Sequence, residues 1–147
     1  MPLIEDNKKI AVAFCNSYTK GAWDSLADLL AEEFRWRSIA SQRRQSATLA
    51  EVPLMNTEPG YDKKQTLDIF RSTQEMCVDG RFDLIPEAFT CEKERVAVEA
   101  RGYAVHKQNG RIYDNRYHHL MRIREGKIVE LREYQDTLLV FDVWMAP

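Results

Sequence analysis

Apolar residues recur at helical spacing only in the first half of the chain. Over residues 5–20, Ile10, Phe14 and Tyr18 fall four apart and mark one face of an amphipathic helix, which Gly21 ends from a C-cap position. A short second helix follows, with Trp23, Leu26, Leu29 and Leu30 as its buried stripe. The period then drops to two. In EEFRWRSI, Phe34 and Trp36 share one face and Arg35 and Arg37 the other, as in a short strand with one wet side. Between Ala40 and Gly60 the periodicity vanishes, and Ser, Gln, Arg, Pro53 and Pro59 accumulate. A loop of that length suits a lid or a binding loop, and equally a plain insertion. Asp62 and Gln65 have the spacing of a capping box, opening a helix that carries Leu67, Ile69, Phe70 and Met76.

Beyond that helix the pattern predicts strand throughout. Residues 82–91 read as an irregular or edge strand, because Pro86 has no N–H for a ladder. Residues 94–106 form a long strand with Val96, Val98 and Ala100 on one face, and Asn109-Gly110 marks a hairpin turn. Strands 111–124 and 127–136 follow, closing on the LLVFDVW stretch. Helices first and an antiparallel meander afterwards predict an α+β fold, with helices on one face of a curved sheet.

A chain of 147 residues fits one domain, 1–147, and buries roughly two-thirds of its unfolded surface. A net charge of −2 argues against a nucleic-acid binder, which carries a basic field; the Arg35, Arg37, Arg43 and Arg44 cluster reads as a solvated edge. No apolar run approaches the roughly 20 residues that span a bilayer. The opening MPLIEDNKK lacks the apolar core of a signal peptide, so a cytoplasmic location is expected. Cys15, Cys77 and Cys91 are odd in number and lack paired spacing, as expected of reduced thiols; Cys15 reads as a buried small hydrophobe.

Candidate chemistry concentrates in GRIYDNRYHHLMRIREGKIVELREYQDT, residues 110–137. Strand alternation places Tyr117, His119, Met121 and Ile123 on one face and His118, Leu120 and Arg122 on the other. In the next strand, Val129, Leu131, Glu133 and Gln135 share a face. A three-residue turn through Arg124, Glu125 and Gly126 would set His119 opposite Leu131 and diagonal to Glu133. A His and a carboxylate beneath helices suit general acid–base work, and they equally suit a satisfied core pair or a dimer contact. Glu99 is a third candidate: it lies opposite the apolar face of its strand, with Arg101, unless a bulge near Gly102 re-aims it. Asp136-Thr137 reads as a cap. Adjacent His118 and His119 point to opposite faces, which speaks against a metal site, and no P-loop, GxGxxG, GxSxG or Cys-His signature is present.

Gly21-Ala22-Trp23, the FRWRS strand and the closing IYDNRYHHLMRIREGKIVELREYQDT together resemble the SnoaL-like, ketosteroid-isomerase-related proteins of the nuclear-transport-factor-like superfamily. The resemblance implies a cone: a curved mixed sheet wrapping about three helices around an apolar pocket, in a homodimer formed by the outer sheet face. It implies a hydrophobic, aromatic or polycyclic small-molecule substrate and no cofactor. The pocket would be lined by Trp36, Tyr61, Tyr113, Asn115, Tyr117, Met121, Leu131 and Trp144. The positions of the ketosteroid isomerases' tyrosine and two aspartates hold Phe14, Ser38 and His119 here, which departs from that mechanism. Glu133 takes the place of an aspartate that limonene-epoxide-hydrolase-like enzymes use, while their Arg-x-Asp is replaced by Glu99-Ala100-Arg101. Polyketide cyclases of the family pair a His with an Asp, a role that His119 and Glu133 can imitate. The expectation is therefore a lyase, isomerase or cyclase working by proton transfer. The alternatives are an epoxide-hydrolase-like hydrolase and a non-catalytic ligand-binding or dimerisation module.

Overall fold

The structure is a computed structural model that describes residues 2–39 and 59–146. Helix α1 (Pro2–Thr19) turns Ala11, Phe14, Cys15 and Tyr18 into the core, the face its spacing predicts. Helix α2 (Trp23–Leu29) runs directly into strand β1 (Leu30–Ser38). Helix α3 (Lys63–Glu75) opens with the expected capping box: the Gln65 amide donates to Asp62 Oδ1 at 2.8 Å, and the Asp62 amide donates to Gln65 Oε1 at 3.0 Å. Strands β2 (Cys77–Glu92), β3 (Arg95–His106), β4 (Ile112–Arg124) and β5 (Lys127–Gln135) complete the sheet. Most of the loop expected between Ala40 and Gly60 lies outside the described residues, as do Arg43 and Arg44.

The sheet order is β1-β5-β4-β3-β2, antiparallel except where β1 lies parallel to β5. This is the curved, unclosed mixed sheet of a cone, and the helices fill its concave side. Strand β2 is the edge that Pro86 requires, and its register slips between Pro86 and Ala88. It begins at Cys77, earlier than the apolar pattern suggests, because Asp79 and Gly80 at positive φ bend it before Phe82. The Thr19 hydroxyl fastens α1 to this edge, accepting from the Leu84 amide at 2.8 Å and donating to the Leu84 carbonyl at 3.2 Å.

Two departures from expectation matter for the site. The LLVFDVW stretch is helical rather than strand: helix α4 (Thr137–Val140) continues into a π-helical turn, Phe141–Met145. Asp136 starts it by accepting from the Leu138 and Leu139 amides at 3.0 and 3.1 Å, the capping role expected of that residue. Asn109 and Arg111 of the β3–β4 turn then hold it, donating to the carbonyls of Val143 and Asp142 at 3.1 and 2.6 Å.

The second departure is register. The β4–β5 turn has two residues, Glu125 and Gly126, both at positive φ, so Arg124 pairs with Lys127. A bulge then inserts Val129, and Arg122 pairs with Glu130. Each change moves the pairing by one residue. Together they turn Ile128 into the core beside Ile123, where strict alternation would face it outward, and bring His119 directly opposite Glu133.

Strand β3 itself has no bulge near Gly102: its pairing with β4 is regular, and the nearby slip, opposite Ala100 and Glu99, places the extra residue on β2. Glu99 therefore stays exposed on the outer face beside His118 and is no part of the interior. Gly102 serves another end: a Cβ there would stand 2.4 Å from Cε2 of Tyr117 and 3.1 Å from Cε1 of Phe82. Gly102→Ala should cost about 1–3 kcal/mol by overpacking, read as a lower denaturant midpoint at unchanged slope.

Candidate active site

The inner face of β4 presents Tyr113, Asn115, Tyr117 and His119, and the facing positions of β5 present Leu131, Glu133 and Gln135. His119 and Glu133 keep only 2% and 8% of their surface exposed. Their side chains meet at 3.0 Å, Nε2 to Oε2. The other carboxylate oxygen, Oε1, accepts from the Gln135 amide at 3.0 Å. The same amide nitrogen donates to Ser38 Oγ at 2.9 Å, and the Gln135 carbonyl accepts from the Tyr113 hydroxyl at 3.0 Å. Asn115 donates to the Tyr113 oxygen at 2.8 Å, and the hydroxyls of Tyr113 and Tyr117 lie 2.7 Å apart. Asn115 is itself fixed, since its carbonyl accepts from the backbone amides of Arg116 and Asp136.

The tautomer of His119 follows from this arrangement. Its Nδ1 is buried and has no hydrogen-bond partner among the described residues. A proton there would leave an unmet donor in the core, at about 1–3 kcal/mol, whereas a bare nitrogen demands less. The proton therefore belongs on Nε2, donated to Glu133. Two N–H groups then converge on one carboxylate, which is how a buried anion is kept paired. Phe14, edge-on with ring centres 6.5 Å apart, and Tyr117 at 4.9 Å hold the imidazole plane.

Above the carboxylate lies a cavity of about 190 Å³, lined by Tyr18, Trp36, Phe70, Phe82, Tyr113, Tyr117, Trp144 and smaller apolar groups, with Glu133 and Gln135 at its polar end. A smaller space of about 30 Å³ shares Tyr18, Phe70, Phe82, Tyr117 and Glu133 with it and reaches His119. Glu133 thus faces the cavity, while His119 stands behind.

Of the residues expected at the pocket, Trp36, Tyr113, Tyr117 and Trp144 line it, together with Glu133. Tyr61 does not reach it; it packs on the Trp36 ring at 5.2 Å and bridges that residue's backbone. Asn115 supports Tyr113 from below, and Met121 and Leu131 are fully buried nearer the turn, too deep to line the space. Tyr18, Phe70, Phe82 and Gln135 belong to the lining and were not foreseen there. Val140 and Met145 join through the helical C-terminal stretch that the alternating pattern concealed. Burial pushes the Cys15 thiol up to about 12, which leaves it inert as a nucleophile. Among the described residues no group of three His, Cys, Asp or Glu side chains is arranged to hold a metal ion.

These features coincide with independent comparisons. The model of the SnoaL-like domain matches residues 11–131. The chain belongs to the SnoaL-like family. Its fold is that of a candidate SnoaL-like polyketide cyclase from Jannaschia sp. CCS1, at a TM-score of 0.76 and 18% identity, covering 100% of this chain and 96% of that one. An LEH-like epoxide hydrolase from M. tuberculosis shares it at a TM-score of 0.70 and 13% identity, over 95% and 89% of the two chains. So does an NTF2-like protein of unknown function from Burkholderia pseudomallei, at 0.74 and 17%, over 96% and 98%. No protein of curated function matches the sequence. This SnoaL-like chain also has no helix, among its described residues, long and apolar enough to cross a membrane.

The phenols of this SnoaL-like site are buried acids. Burial, reinforced by the nearby Glu133 charge, holds Tyr18, Tyr113 and Tyr117 above the ordinary tyrosine value. Above about pH 10 the unfolded chain loses these protons while the folded chain keeps them, so the folded state binds more protons and stability must fall as pH rises. The phenols' contribution should be constant below about pH 10 and then drop by at most about 1.4 kcal/mol per pH unit for each phenol, on top of the decline that the raised Cys15 and Cys77 thiols begin near pH 9. Tyr113→Phe should make that alkaline slope shallower in urea titrations at fixed pH values.

Proposed function

We propose that the cavity is the active site of an enzyme that transfers protons on a small hydrophobic ring compound, with Glu133 as the base and His119 as the group that orients it. The observation that carries this reading is the 3.0 Å pairing of two buried ionisable side chains, with only the carboxylate facing the aromatic cavity. A structural pair would gain nothing by ending at an open space lined with rings. Glu133 is well placed to take a carbon-bound proton, and seven aromatic side chains offer faces and edges to a flat ligand. Lyase, isomerase and cyclase chemistry all begin with that step.

A second reading has its own support. The space of about 30 Å³ beside His119 and Glu133 is of the size that holds a water molecule, which suits activation of water by Glu133 in a hydrolase. The fold is shared with both a candidate polyketide cyclase and an epoxide hydrolase, so the fold alone does not choose. We further propose that the protein works in the cytoplasm as a homodimer built on the outer sheet face. There His118 meets Tyr134 edge-on at 6.2 Å, and Arg101–Asp114, Arg116–Glu87 and Arg124–Glu94 pairs cover the strands.

The test is exchange of carbon-bound hydrogen with D2O across a panel of cyclic ketones and phenols, followed by proton NMR. Glu133→Gln and His119→Ala should each slow exchange at least about a hundredfold while circular dichroism stays native. Native exchange rates in both variants would refute the proton-transfer reading.

A further inference from the structure

Four hydroxyl groups line the cavity, those of Tyr18, Thr73, Tyr113 and Tyr117. The destination of each proton can be traced. Thr73 donates to the Ile69 carbonyl one helical turn back, at 2.8 Å. Tyr113 donates to the Gln135 carbonyl, because the Gln135 amide nitrogen is committed to Glu133 and Ser38 and fixes the orientation of the group. With its own proton so used and Asn115 donating to its oxygen, Tyr113 can serve Tyr117 only as an acceptor. Tyr117 therefore donates to Tyr113. The protons run in one direction, from Tyr117 through Tyr113 and Gln135 to the carboxylate, and none of the three is left for a ligand.

Tyr18 is different. Its ring is locked edge-on by Trp23, Phe70 and Phe82 at 6.1, 5.0 and 5.3 Å. Its hydroxyl has no hydrogen-bond partner among the described residues, although the residue is only 6% exposed. It lines both the main cavity and the inner space, as Glu133 does. The hydroxyl is not among the fully enclosed unpaired polar atoms of the described residues; it opens onto the cavity that Tyr18 lines and is available to what enters there.

We infer that Tyr18 is the hydrogen-bond donor for the ligand's oxygen, and that the ligand is a one-ring or fused two-ring compound bearing a carbonyl or comparable acceptor. Size sets the upper bound, since a cavity of about 150 Å³ takes benzene and this one, at about 190 Å³, is only modestly larger. Burial keeps the Tyr18 phenol protonated well beyond the ordinary range, so the donor is present at any physiological pH. Ring and acceptor thus bind by different parts of the site, the rings by the aromatic walls and the oxygen by one phenol, with Glu133 left to face a hydrogen of the ligand.

The inference rests on the cavity being the substrate site, and binding tests it without turnover. The probes are 1-indanone and its hydrocarbon counterpart indane, titrated calorimetrically into wild type, Tyr18→Phe and Tyr117→Phe. The ratio of ketone to hydrocarbon affinity should fall roughly three- to tenfold in Tyr18→Phe, the worth of one neutral hydrogen bond, and stay within about twofold in Tyr117→Phe. The carbonyl stretch of bound 1-indanone should lie lower in wild type than in Tyr18→Phe. Ligand-free Tyr18→Phe should melt with wild type, because no internal bond is lost. An unchanged ratio, equal losses for both probes, or a lowered melting point in Tyr18→Phe would overturn the assignment. If neither probe binds wild type, the assignment falls together with the cavity reading. A ketone preference that depends on Tyr18 stands even where Glu133→Gln exchanges hydrogen normally, and then only the role of Glu133 fails.

Discussion

A carboxylate taken out of water must be solvated by the protein that buries it, or it costs several kcal/mol. In this SnoaL-like protein that requirement falls on Glu133, and much of the cone's interior can be read as its answer. His119 and Gln135 each give it an N–H. Gln135 is turned the right way because Ser38, at the end of β1, takes its other amide hydrogen and Tyr113 its carbonyl. Asn115 fixes Tyr113, and the backbone of Asp136 fixes Asn115. The chain of donors crosses three neighbouring strands, so the anion is held by the sheet and not by one loop. Such a network is costly if partly satisfied and specifying if complete.

The sheet meets this demand through a few local devices. A two-residue turn and a one-residue bulge set the β4–β5 register, and with it the direct pairing of His119 and Glu133. Absence of a Cβ at Gly102 lets the Tyr117 ring lie against β3, and Tyr117 in turn packs on the His119 imidazole. Asp136 ends β5 and starts the helical stretch that brings Val140, Trp144 and Met145 over the cavity. The parts of the site are therefore coupled: a change at the turn, at Gly102 or at Asp136 reaches the carboxylate through contacts that can be named.

Alternation along each strand made the face of most residues legible, Ile128 at the bulge excepted, but not their exact neighbours. Strand alternation separated His118 from His119 and put His119, Glu133 and Gln135 indoors, because a period of two survives any even shift of register. The turn length and the bulge at Val129 escaped, since both depend on positive-φ geometry at Glu125 and on packing that an apolar pattern does not encode. Glu99 was outward by the same alternation, and it stays so because the slip opposite it puts the extra residue on β2 and leaves β3 regular. LLVFDVW is too short for its period to distinguish helix from strand, and the Asp136 cap decides it. Tyr18 was visible only as a member of an amphipathic face; that its hydroxyl lacks a protein partner is a fact of three-dimensional placement. The ring-lined pocket came from family resemblance; of the residues it named, Trp36, Tyr113, Tyr117 and Trp144 line the cavity, whereas Tyr61, Met121 and Leu131 do not.

The central claim is that His119 presents an N–H to Glu133 from Nε2 and keeps Nδ1 bare, so that Glu133 faces the cavity as a paired anion. Long-range proton–nitrogen correlation NMR on protein labelled with nitrogen-15 at histidine reads this state directly at neutral pH. The account predicts that His119 shows one protonated nitrogen, Nε2, and one unprotonated nitrogen, Nδ1, with Glu133→Gln altering the Nε2 signal most. A proton on Nδ1, in either the other neutral tautomer or a doubly protonated ring, would contradict it.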